Sequence, residues 1–294
     1  MSDLSMFDLS GRNAIVTGGA MGIGLGFARA LAKAGANVAI VDVNEALGSR
    51  NAEALEAFGV KSLFVFCDVS SKKQVQTMVN QVQSHFGRLD IGVNNAGFGI
   101  LGNSEELEES RWRAVLDVNL TGAFLCAQAQ AQHMIRQSPC EGKIINTASM
   151  YGLFAGGNCA YNASKAGLIH LTRSLASEWG QFNINVNCIS PGWVMTPGMS
   201  ATPPEVRARM REVTPMGHLQ RPEDLCGAIV FLASRASNFV TGHNLVVDGG
   251  HSINTWLQPL HRSVPPRVSQ VEEDDAAREE IRILNALRAS ASGT

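Results

Sequence analysis

A tyrosine and a lysine stand four positions apart in "CAYNASKAG", residues 159–167. If this segment is helical, Tyr161 and Lys165 lie on one face, one turn apart. Free tyrosine has a pKa of about 10, so it is mostly protonated at neutral pH, but a neighbouring ammonium favours the phenolate. Such a pair could exchange protons with a substrate. The same two residues also suit an ordinary helix surface, so other motifs must decide between these readings.

The glycine-rich segment "TGGAMGIG", residues 17–24, joins a candidate strand to a candidate helix. Its glycines follow the spacing G-x-x-x-G-x-G, a variant of the dinucleotide-binding fingerprint. Glycine allows a sharp turn and a close approach of the backbone to an anion, which the free N–H groups at the helix start then face. The segment therefore predicts a dinucleotide-binding turn formed by Gly18, Gly22, Ile23 and Gly24.

An acidic residue, Asp42, ends the second candidate strand, 18 positions after Gly24. A carboxylate there can accept hydrogen bonds from the ribose of an adenosine, and it would repel a 2′-phosphate. The neighbouring Met21, Val43 and Asn44 supply no cation to offset that repulsion. The position favours NAD over NADP as the cofactor. The alternative is that Asp42 only caps the following helix.

Short runs of apolar and β-branched residues alternate with segments of helical period through most of the chain. The candidate strands are residues 13–17, 37–43, 62–66, 89–95, 143–148, 185–190 and 244–248, and the first three intervals between them predict helices over 23–34, 45–58 and 71–86. Near-continuous apolar strands separated by helices favour an α/β fold with a doubly wound parallel sheet, because each right-handed crossover places a helix over one face.

Several motifs occur together in one order along the chain. They are "TGGAMGIG", "CDV" (67–69), "NNAG" (94–97), Asn119 in "LDVNL", Ser149 in "NTASM", the Tyr161 and Lys165 pair, and "PGWVMT" (191–196). In this order and spacing they resemble the short-chain dehydrogenase/reductase (SDR) family, over about residues 8–251. The resemblance implies one Rossmann-type sheet of about seven strands with helices on both faces. We expect a catalytic domain over residues 1–252 and an extension over 253–294.

The resemblance also implies the catalytic roles. Tyr161 would be the acid/base, and Lys165 would lower its pKa and hold the ribose of the nicotinamide. Ser149 would bind the substrate oxygen and stabilise the charge that develops there. The residue matching Asn119 holds a water that links the lysine to solvent in the family, although a buried amide bonded to a bent helix would also fit Asn119.

The resemblance to the SDR family also implies further contacts with the cofactor. The adenine contacts would be Asp68 and Val69, and the turn beside the adenosine ribose would be Asn95, Ala96 and Gly97. The segment past the nicotinamide would include Pro191, Gly192, Val194 and Thr196. Residues 193–216 fall where the family carries a mobile substrate lid, and Tyr151, Phe98 and Trp193 are candidates for the pocket wall. The interval from Ser149 to Tyr161 is about one residue shorter than the family's pattern.

Composition limits the possible partners. With 24 basic and 26 acidic residues the net charge is −2, which argues against a nucleic-acid-binding footprint. No run is long enough to span a membrane, no secretion signal is visible, and the histidines and cysteines lack metal-ligand spacing. We expect a cytoplasmic protein without a metal site, a small-molecule alcohol or ketone as substrate, and a homo-oligomer, with a tetramer favoured over a dimer.

These observations predict an NAD-dependent oxidoreductase that interconverts a secondary alcohol and a ketone, with a polyol or sugar-like substrate favoured. One alternative is a 3-oxoacyl-carrier-protein reductase that uses NADPH, which Asp42 disfavours. Another is a nucleotide-binding protein without catalysis, which would not need the set Asn119, Ser149, Tyr161 and Lys165.

The segment after "DGGH" (248–251) changes in character, from Pro-interrupted and extended to charged and helical. Ser269 and Glu272 have the spacing of a capping box, and Ala277, Ile281, Leu284 and Arg288 share one helix face. The sequence fits either a solvated tail helix or a tail that packs on a neighbouring subunit.

Overall fold

The predicted strands form one parallel sheet in the computed structural model, which describes residues 4–100, 102–156 and 158–254. The sheet has seven strands within these residues, in the order β3-β2-β1-β4-β5-β6-β7. Their bounds are β1 Asn13–Thr17, β2 Asn37–Asp42, β3 Ser62–Phe66, β4 Ile91–Asn94, β5 Gly142–Thr147, β6 Ile184–Pro191 and β7 Asn244–Val247. Each strand lies within two residues of its predicted bounds, which confirms the fold class.

The strand order reverses at β1, which pairs with β2 on one side and with β4 on the other. The crossovers on either side of this point leave for opposite faces, so a crevice opens beyond the carboxyl ends of β1 and β4. Thr17 at the end of β1 is in register with Val41 and Asn94. The motifs that follow these strands are thereby gathered at one edge of the sheet.

The predicted helices also form. The helices are α1 Gly22–Lys33, α2 Glu45–Leu55, α3 Lys72–Phe86, α4 Glu109–Leu116, α5 Ala123–Arg136, α6 Cys159–Trp179, α7 Pro197–Ser200, α8 Pro204–Glu212 and α9 Cys226–Ala233. Side-chain caps fix two of the predicted starts: Asn44 accepts a hydrogen bond from the Leu47 N–H, and Ser71 accepts one from the Gln74 N–H. The predicted helix 45–58 ends in a 3₁₀ turn, Glu56–Phe58.

Two apolar cores confirm that helices cover both faces of the sheet. One core joins Phe27 and Leu31 of α1 to Ile229 and Leu232 of α9. The other core packs α3, α5 and α6 against the opposite face, with Met134 of α5 among its fully buried side chains. Burying these side chains is the main favourable contribution to folding, and it holds the strand ends in fixed positions.

The predicted extension over residues 253–294 lies outside the described residues from residue 255 onward, including the Ser269 and Glu272 capping box. Among the helices that the structure describes, none is both long and apolar enough to cross a membrane.

Candidate active site

Tyr161 and Lys165 lie on α6 beside the carboxyl end of β5. The helix begins at Cys159 because the side chain of Asn158 caps it, accepting a hydrogen bond from the Tyr161 N–H at 3.2 Å. Ser149 follows β5, and its hydroxyl accepts a hydrogen bond from the Tyr151 N–H at 3.2 Å. The shortened interval between Ser149 and Tyr161 thus still ends in a capped helix start that fixes Tyr161 in the first turn.

The Tyr161 side chain is partly buried, and burial raises the pKa of its phenol above the ordinary value. A hydrogen bond with the Ser149 side chain lowers the pKa, and the nearby Tyr151 raises it further. The shift is opposite to the lowering that we expected from Lys165. The pKa rises because, without a bound cofactor, the cost of removing the phenolate from water is larger than the stabilisation that the Ser149 hydrogen bond gives it.

Lys165 is almost fully buried, with 4% of its surface exposed. Its Nζ donates a hydrogen bond to the Thr147 carbonyl at 2.7 Å and lies 5.5 Å from the centre of the Tyr161 ring. Burial lowers the pKa of the amine to about 8, so it is mostly protonated at neutral pH. An ammonium has three donors, and one is engaged by a described residue, which leaves two for a ligand.

Asn119 lies in a π-helical turn, Asp117–Gly122, that joins α4 to α5. Its amide pairs with the backbone of Phe98: the Oδ1 accepts from the Phe98 N–H at 3.0 Å and the Nδ2 donates to the Phe98 carbonyl at 2.9 Å. The Nδ2 also lies 3.1 Å from the Ser164 hydroxyl, which donates to the Tyr161 carbonyl. Asn119 therefore joins the loop after β4 to the helix that carries Tyr161, and its buried amide bonds to the backbone of that loop instead of to a helix backbone.

Gly97 marks where these groups converge. A Cβ on Gly97 would lie 3.1 Å from the Asn119 Oδ1 and 3.4 Å from the Lys165 Nζ. A Cβ on Gly99 would lie 3.4 Å from the Tyr161 ring. The predicted catalytic residues and the "NNAG" turn are therefore neighbours in space.

The glycine-rich turn is built by contacts that require glycine at two positions. Gly18 has a φ of +61°, and a Cβ on Gly24 would collide with the Gly18 carbonyl. Asn95 braces the turn, with its Nδ2 donating to the Gly18 carbonyl at 3.1 Å, and the Thr17 hydroxyl accepts from the N–H groups of Asn95 and Ala96. Asn95 and Ala96 thus hold the shape of the predicted phosphate-binding turn.

Asp42 lies at the end of β2 beside this turn. One carboxylate oxygen accepts a hydrogen bond from the Ala20 N–H at 3.1 Å, and the other accepts from the Asn44 N–H at 3.0 Å. The cap of α2 is Asn44, so the alternative reading of Asp42 as the helix cap is wrong. Each carboxylate oxygen keeps acceptor capacity for a ligand.

Asp68 and Val69 lie near the same crevice. One oxygen of Asp68 accepts from the backbone and hydroxyl of Ser70, which forms a turn after β3. Val69 is buried, and a Cβ on Gly122 would contact its side chain at 2.8 Å. Val69 packs against the π turn that carries Asn119.

The segment "PGWVMT" runs from the end of β6 toward the glycine-rich turn. Pro191 ends β6, and the Gly192 N–H donates to the Val247 carbonyl at 3.1 Å. Val194 is buried and forms an isolated bridge with Gln220. Thr196 caps α7, and its methyl group would lie 3.3 Å from a Cβ on Gly22. The segment therefore closes one side of the crevice.

The residues of this crevice fit a dinucleotide. The first turn of α1 carries no acidic side chain, and its N-cap, Met21, makes no side-chain cap. The positive end of the helix dipole and its N–H groups thus remain available to an anion. Among the described residues, no group of three or more His, Cys, Asp or Glu side chains could hold a metal ion.

Comparison with known proteins identifies the family. A family model described as "Enoyl-(Acyl carrier protein) reductase" matches residues 18–252. The chain is 40% identical over 243 residues to cis-4-hydroxycyclohexanecarboxylate dehydrogenase of Sinomonas cyclohexanicum, covering 82% of this chain and 96% of that protein. The chain belongs to the short-chain dehydrogenase/reductase family.

Two other SDR relatives bear on the cofactor. An NAD-dependent glycerol dehydrogenase of Listeria innocua is 34% identical over 249 residues, covering 84% of this chain and 96% of that protein. The crystal structure of a gluconate 5-dehydrogenase from Burkholderia cenocepacia in complex with NADP and tartrate has a TM-score of 0.81 and 36% identity, over 85% of this chain and 98% of that chain. SDR proteins are oxidoreductases with a nicotinamide cofactor, and this chain is one of them.

The segment predicted as the substrate lid of this SDR chain, residues 193–216, contains α7 and α8. Trp193 at its start lies beside Tyr151, and its Nε1 donates to the Tyr151 hydroxyl at 3.3 Å. Phe98 is 40% exposed, and its backbone is paired with Asn119. Two of the three predicted wall residues are therefore in direct contact.

Sequence reasoning missed two residues at this edge of the SDR fold. Phe154 lies 5.6 Å from Tyr151 between ring centres, and His251 lies 4.1 Å from Trp193. His251 directly follows "DGG" at the last residue of the region that resembles the family, and that position was the signal that could have pointed to it. The contact itself joins segments far apart in the chain, which no local pattern predicts.

Proposed function

We propose that this SDR chain is an NAD-dependent dehydrogenase that interconverts a secondary alcohol, polyol or sugar-like, and the corresponding ketone. One observation carries the proposal: Ser149, Tyr161 and Lys165 converge within a buried site beside a glycine-rich turn that fits a dinucleotide. A protein that only bound the nucleotide would need no acid/base beside the cofactor site.

Each residue has a task that follows from its chemistry. Ser149 and Tyr161 hold the substrate oxygen by hydrogen bonds. During oxidation the phenolate of Tyr161 accepts the proton of the substrate hydroxyl, and during reduction the phenol returns it to the carbonyl oxygen. Ser149 stabilises the negative charge that develops on that oxygen. The nicotinamide, when bound, accepts or supplies the hydride.

Lys165 makes the phenolate accessible. In the protein by itself burial raises the pKa of Tyr161, so the base form needs a cation nearby. The Lys165 ammonium, 5.5 Å from the ring centre, supplies it, because an opposite charge at short range favours the ionised form. Its two remaining donors suit the ribose hydroxyls of the nicotinamide half of the cofactor.

The other cofactor residues follow the geometry of the crevice. The turn of Gly18, Gly22, Ile23 and Gly24 would hold the pyrophosphate at the start of α1. Asp68 and Val69 would lie along the adenine, and Gly97 beside the adenosine ribose. Val194 and Thr196 would contact the carboxamide of the nicotinamide.

The preference for NAD rests on Asp42. Its carboxylate lies beside the glycine-rich turn, where a 2′-phosphate would meet a like charge, and Val43 next to it is an exposed apolar residue. The Listeria relative is named NAD-dependent, whereas the Burkholderia structure holds NADP. The acidic side chain at this position supports NAD for the present chain.

The substrate class is supported by the names of the relatives, which act on a hydroxylated cyclohexane, on glycerol and on gluconate. All three are hydroxylated small molecules. We also propose a cytoplasmic homo-oligomer, tetramer or dimer. The edge strand β7 leaves Val246 37% exposed, and Phe239 on the loop before it is fully exposed. Sedimentation as a monomer would contradict the oligomer.

The experiment is an assay of polyols, sugars and simple secondary alcohols with NAD and NADP, read by the absorbance of the reduced cofactor. Tyr161→Phe should lower kcat by about 10³-fold, because it deletes the acid/base, while NAD binding persists. Tyr151→Phe makes the same chemical change nearby and should lower kcat far less. Failure of every alcohol, or full activity in Tyr161→Phe, would refute the proposal.

A further inference from the structure

Four aromatic side chains form a closed ring of contacts at the carboxyl edge of the sheet. Tyr151 contacts Phe154 with ring centres 5.6 Å apart, and Phe154 contacts His251 at 5.5 Å. His251 contacts Trp193 at 4.1 Å, and the Trp193 Nε1 closes the ring by donating to the Tyr151 hydroxyl at 3.3 Å. We call these four residues the aromatic ring cluster.

The cluster is assembled from the ends of three adjacent strands. Tyr151 follows β5, Trp193 follows β6 and His251 follows β7, in the order in which those strands pair. The turn before His251 is held by Asp248, whose carboxylate accepts from the N–H groups of Gly250 and Ser252. His251 is therefore positioned by a defined turn.

The cluster has unused polar capacity. The Nδ1 of His251 is buried and has no hydrogen-bond partner within residues 4–100, 102–156 and 158–254. A buried polar atom without a partner is costly unless something else satisfies it. The Tyr151 hydroxyl accepts from Trp193 and retains its own proton to donate. All four side chains are partly exposed, so a ligand can reach the cluster, and it must part the ring contacts to reach the buried Nδ1.

The cluster adjoins the reacting groups. Tyr151 stands two residues after Ser149, and it is one of the causes that raise the pKa of Tyr161, so the two phenols are electrostatic neighbours. Trp193 is bracketed by Gly192 and Val194 of the proposed nicotinamide segment. A substrate whose reacting hydroxyl lies at Ser149 and Tyr161 would therefore extend toward Tyr151 and Trp193.

We propose that Tyr151 and His251 bind a second hydroxyl group of the substrate, which makes the enzyme select diols and polyols over simple secondary alcohols. The Tyr151 hydroxyl donates a hydrogen bond to that hydroxyl, and the substrate hydroxyl donates to the His251 Nδ1. Phe154 and Trp193 hold the two polar side chains in place. This inference rests on the alcohol dehydrogenase activity proposed above.

The kinetic test uses two substrates with the same carbon skeleton, butane-2,3-diol and butan-2-ol. The wild-type enzyme should have the higher kcat/KM for the diol. His251→Phe keeps an aromatic side chain against Trp193 but deletes the nitrogen, and it should lower the ratio of the two kcat/KM values about tenfold, chiefly through KM for the diol. Tyr151→Phe should lower the ratio by a similar factor. His251→Asn retains a hydrogen-bonding group and should restore part of the ratio.

A binding measurement without turnover accompanies it. Butane-2,3-diol should change the tryptophan fluorescence saturably, and Trp193→Phe should abolish that change. His251→Phe should raise the half-saturating concentration about tenfold. If alcohols are oxidised but both single variants leave the ratio unchanged, the inference is wrong and the cluster only packs the turn. If no alcohol is oxidised, the proposed activity fails, and the fluorescence titration still decides whether the diol binds at His251.

Discussion

Lys143 lies near the start of β5, whereas Lys165 lies on α6 beside the carboxyl end of that strand, and burial lowers the pKa of each to about 8. Lys143 is the second residue of β5, and its Nζ donates to the Asn185 Oδ1 at 2.8 Å, to the Asn238 Oδ1 at 2.9 Å and to the Ser237 hydroxyl at 3.4 Å. Lys165 donates to one described acceptor, the Thr147 carbonyl. One cation is fully engaged by the protein, and the other retains donors for a ligand.

Two carboxylates, Asp90 and Asp42, also differ in how far the protein itself engages their charge. Asp90, at the amino edge of the sheet, accepts from Arg12 at 3.0 Å, from Arg88 at 2.8 Å and from the Asn13 N–H at 3.0 Å. Asp42, at the carboxyl edge, accepts from two backbone N–H groups and pairs with no described cation. Charged groups at the amino edge therefore stabilise the fold, whereas those at the carboxyl edge keep the capacity to bind.

The largest expected effect is a difference in kcat between variants of Lys165 and of Lys143. Lys165→Met should lower kcat for alcohol oxidation by about 10² to 10³-fold, because the phenolate of Tyr161 loses its cation. The rise of kcat/KM with pH should also move to higher pH, since burial then raises the pKa of Tyr161 without opposition from the ammonium. Lys143→Met makes the same change at a buried lysine near the amino end of β5 and should keep kcat within about twofold. An equal loss of kcat in both variants would contradict the prediction that only Lys165 acts in catalysis.

The second effect concerns Asp42. Asp42→Ala should reduce the preference for NAD over NADP, in the ratio of kcat/KM values, about tenfold, because the like charge beside the 2′-phosphate is removed. Glu45→Ala deletes the same charge from an exposed position in the first turn of α2 and should leave the ratio nearly unchanged. An unaltered ratio in Asp42→Ala would show that other residues discriminate between the cofactors.

The smallest effect is a pH dependence of stability. The folded pKa of Lys143, about 8, lies below its ordinary value of 10.5, so between these values the unfolded chain binds more protons. The free energy of unfolding contributed by Lys143 should therefore rise as the pH increases from about 8 to about 10.5. Urea unfolding of the wild type and of Lys143→Met at both ends of this range measures the difference. The free energy of unfolding of the wild type minus that of Lys143→Met should be larger at pH 10.5 than at pH 8. A smaller difference at the higher pH would refute the prediction.

Much of the fold could be predicted from local patterns. The strand β1 and the turn at Gly18 follow from an apolar run that meets a glycine cluster, and α2 starts where Asn44 can cap it. The spacing of Tyr161 and Lys165 correctly predicted two residues on one helix. The π turn at Asn119 was not predicted, because its geometry is coupled to the tertiary pairing with Phe98.

By itself the sequence determined the order of strands and helices, the glycine-rich turn and the identities of the candidate catalytic residues. These follow from local periodicity and side-chain chemistry. Tertiary structure decided that burial raises the pKa of Tyr161, that Lys143 is satisfied while Lys165 is not, and that His251 meets Trp193. Desolvation and hydrogen-bond partners depend on which distant segments pack together, and that packing exists only in the folded chain.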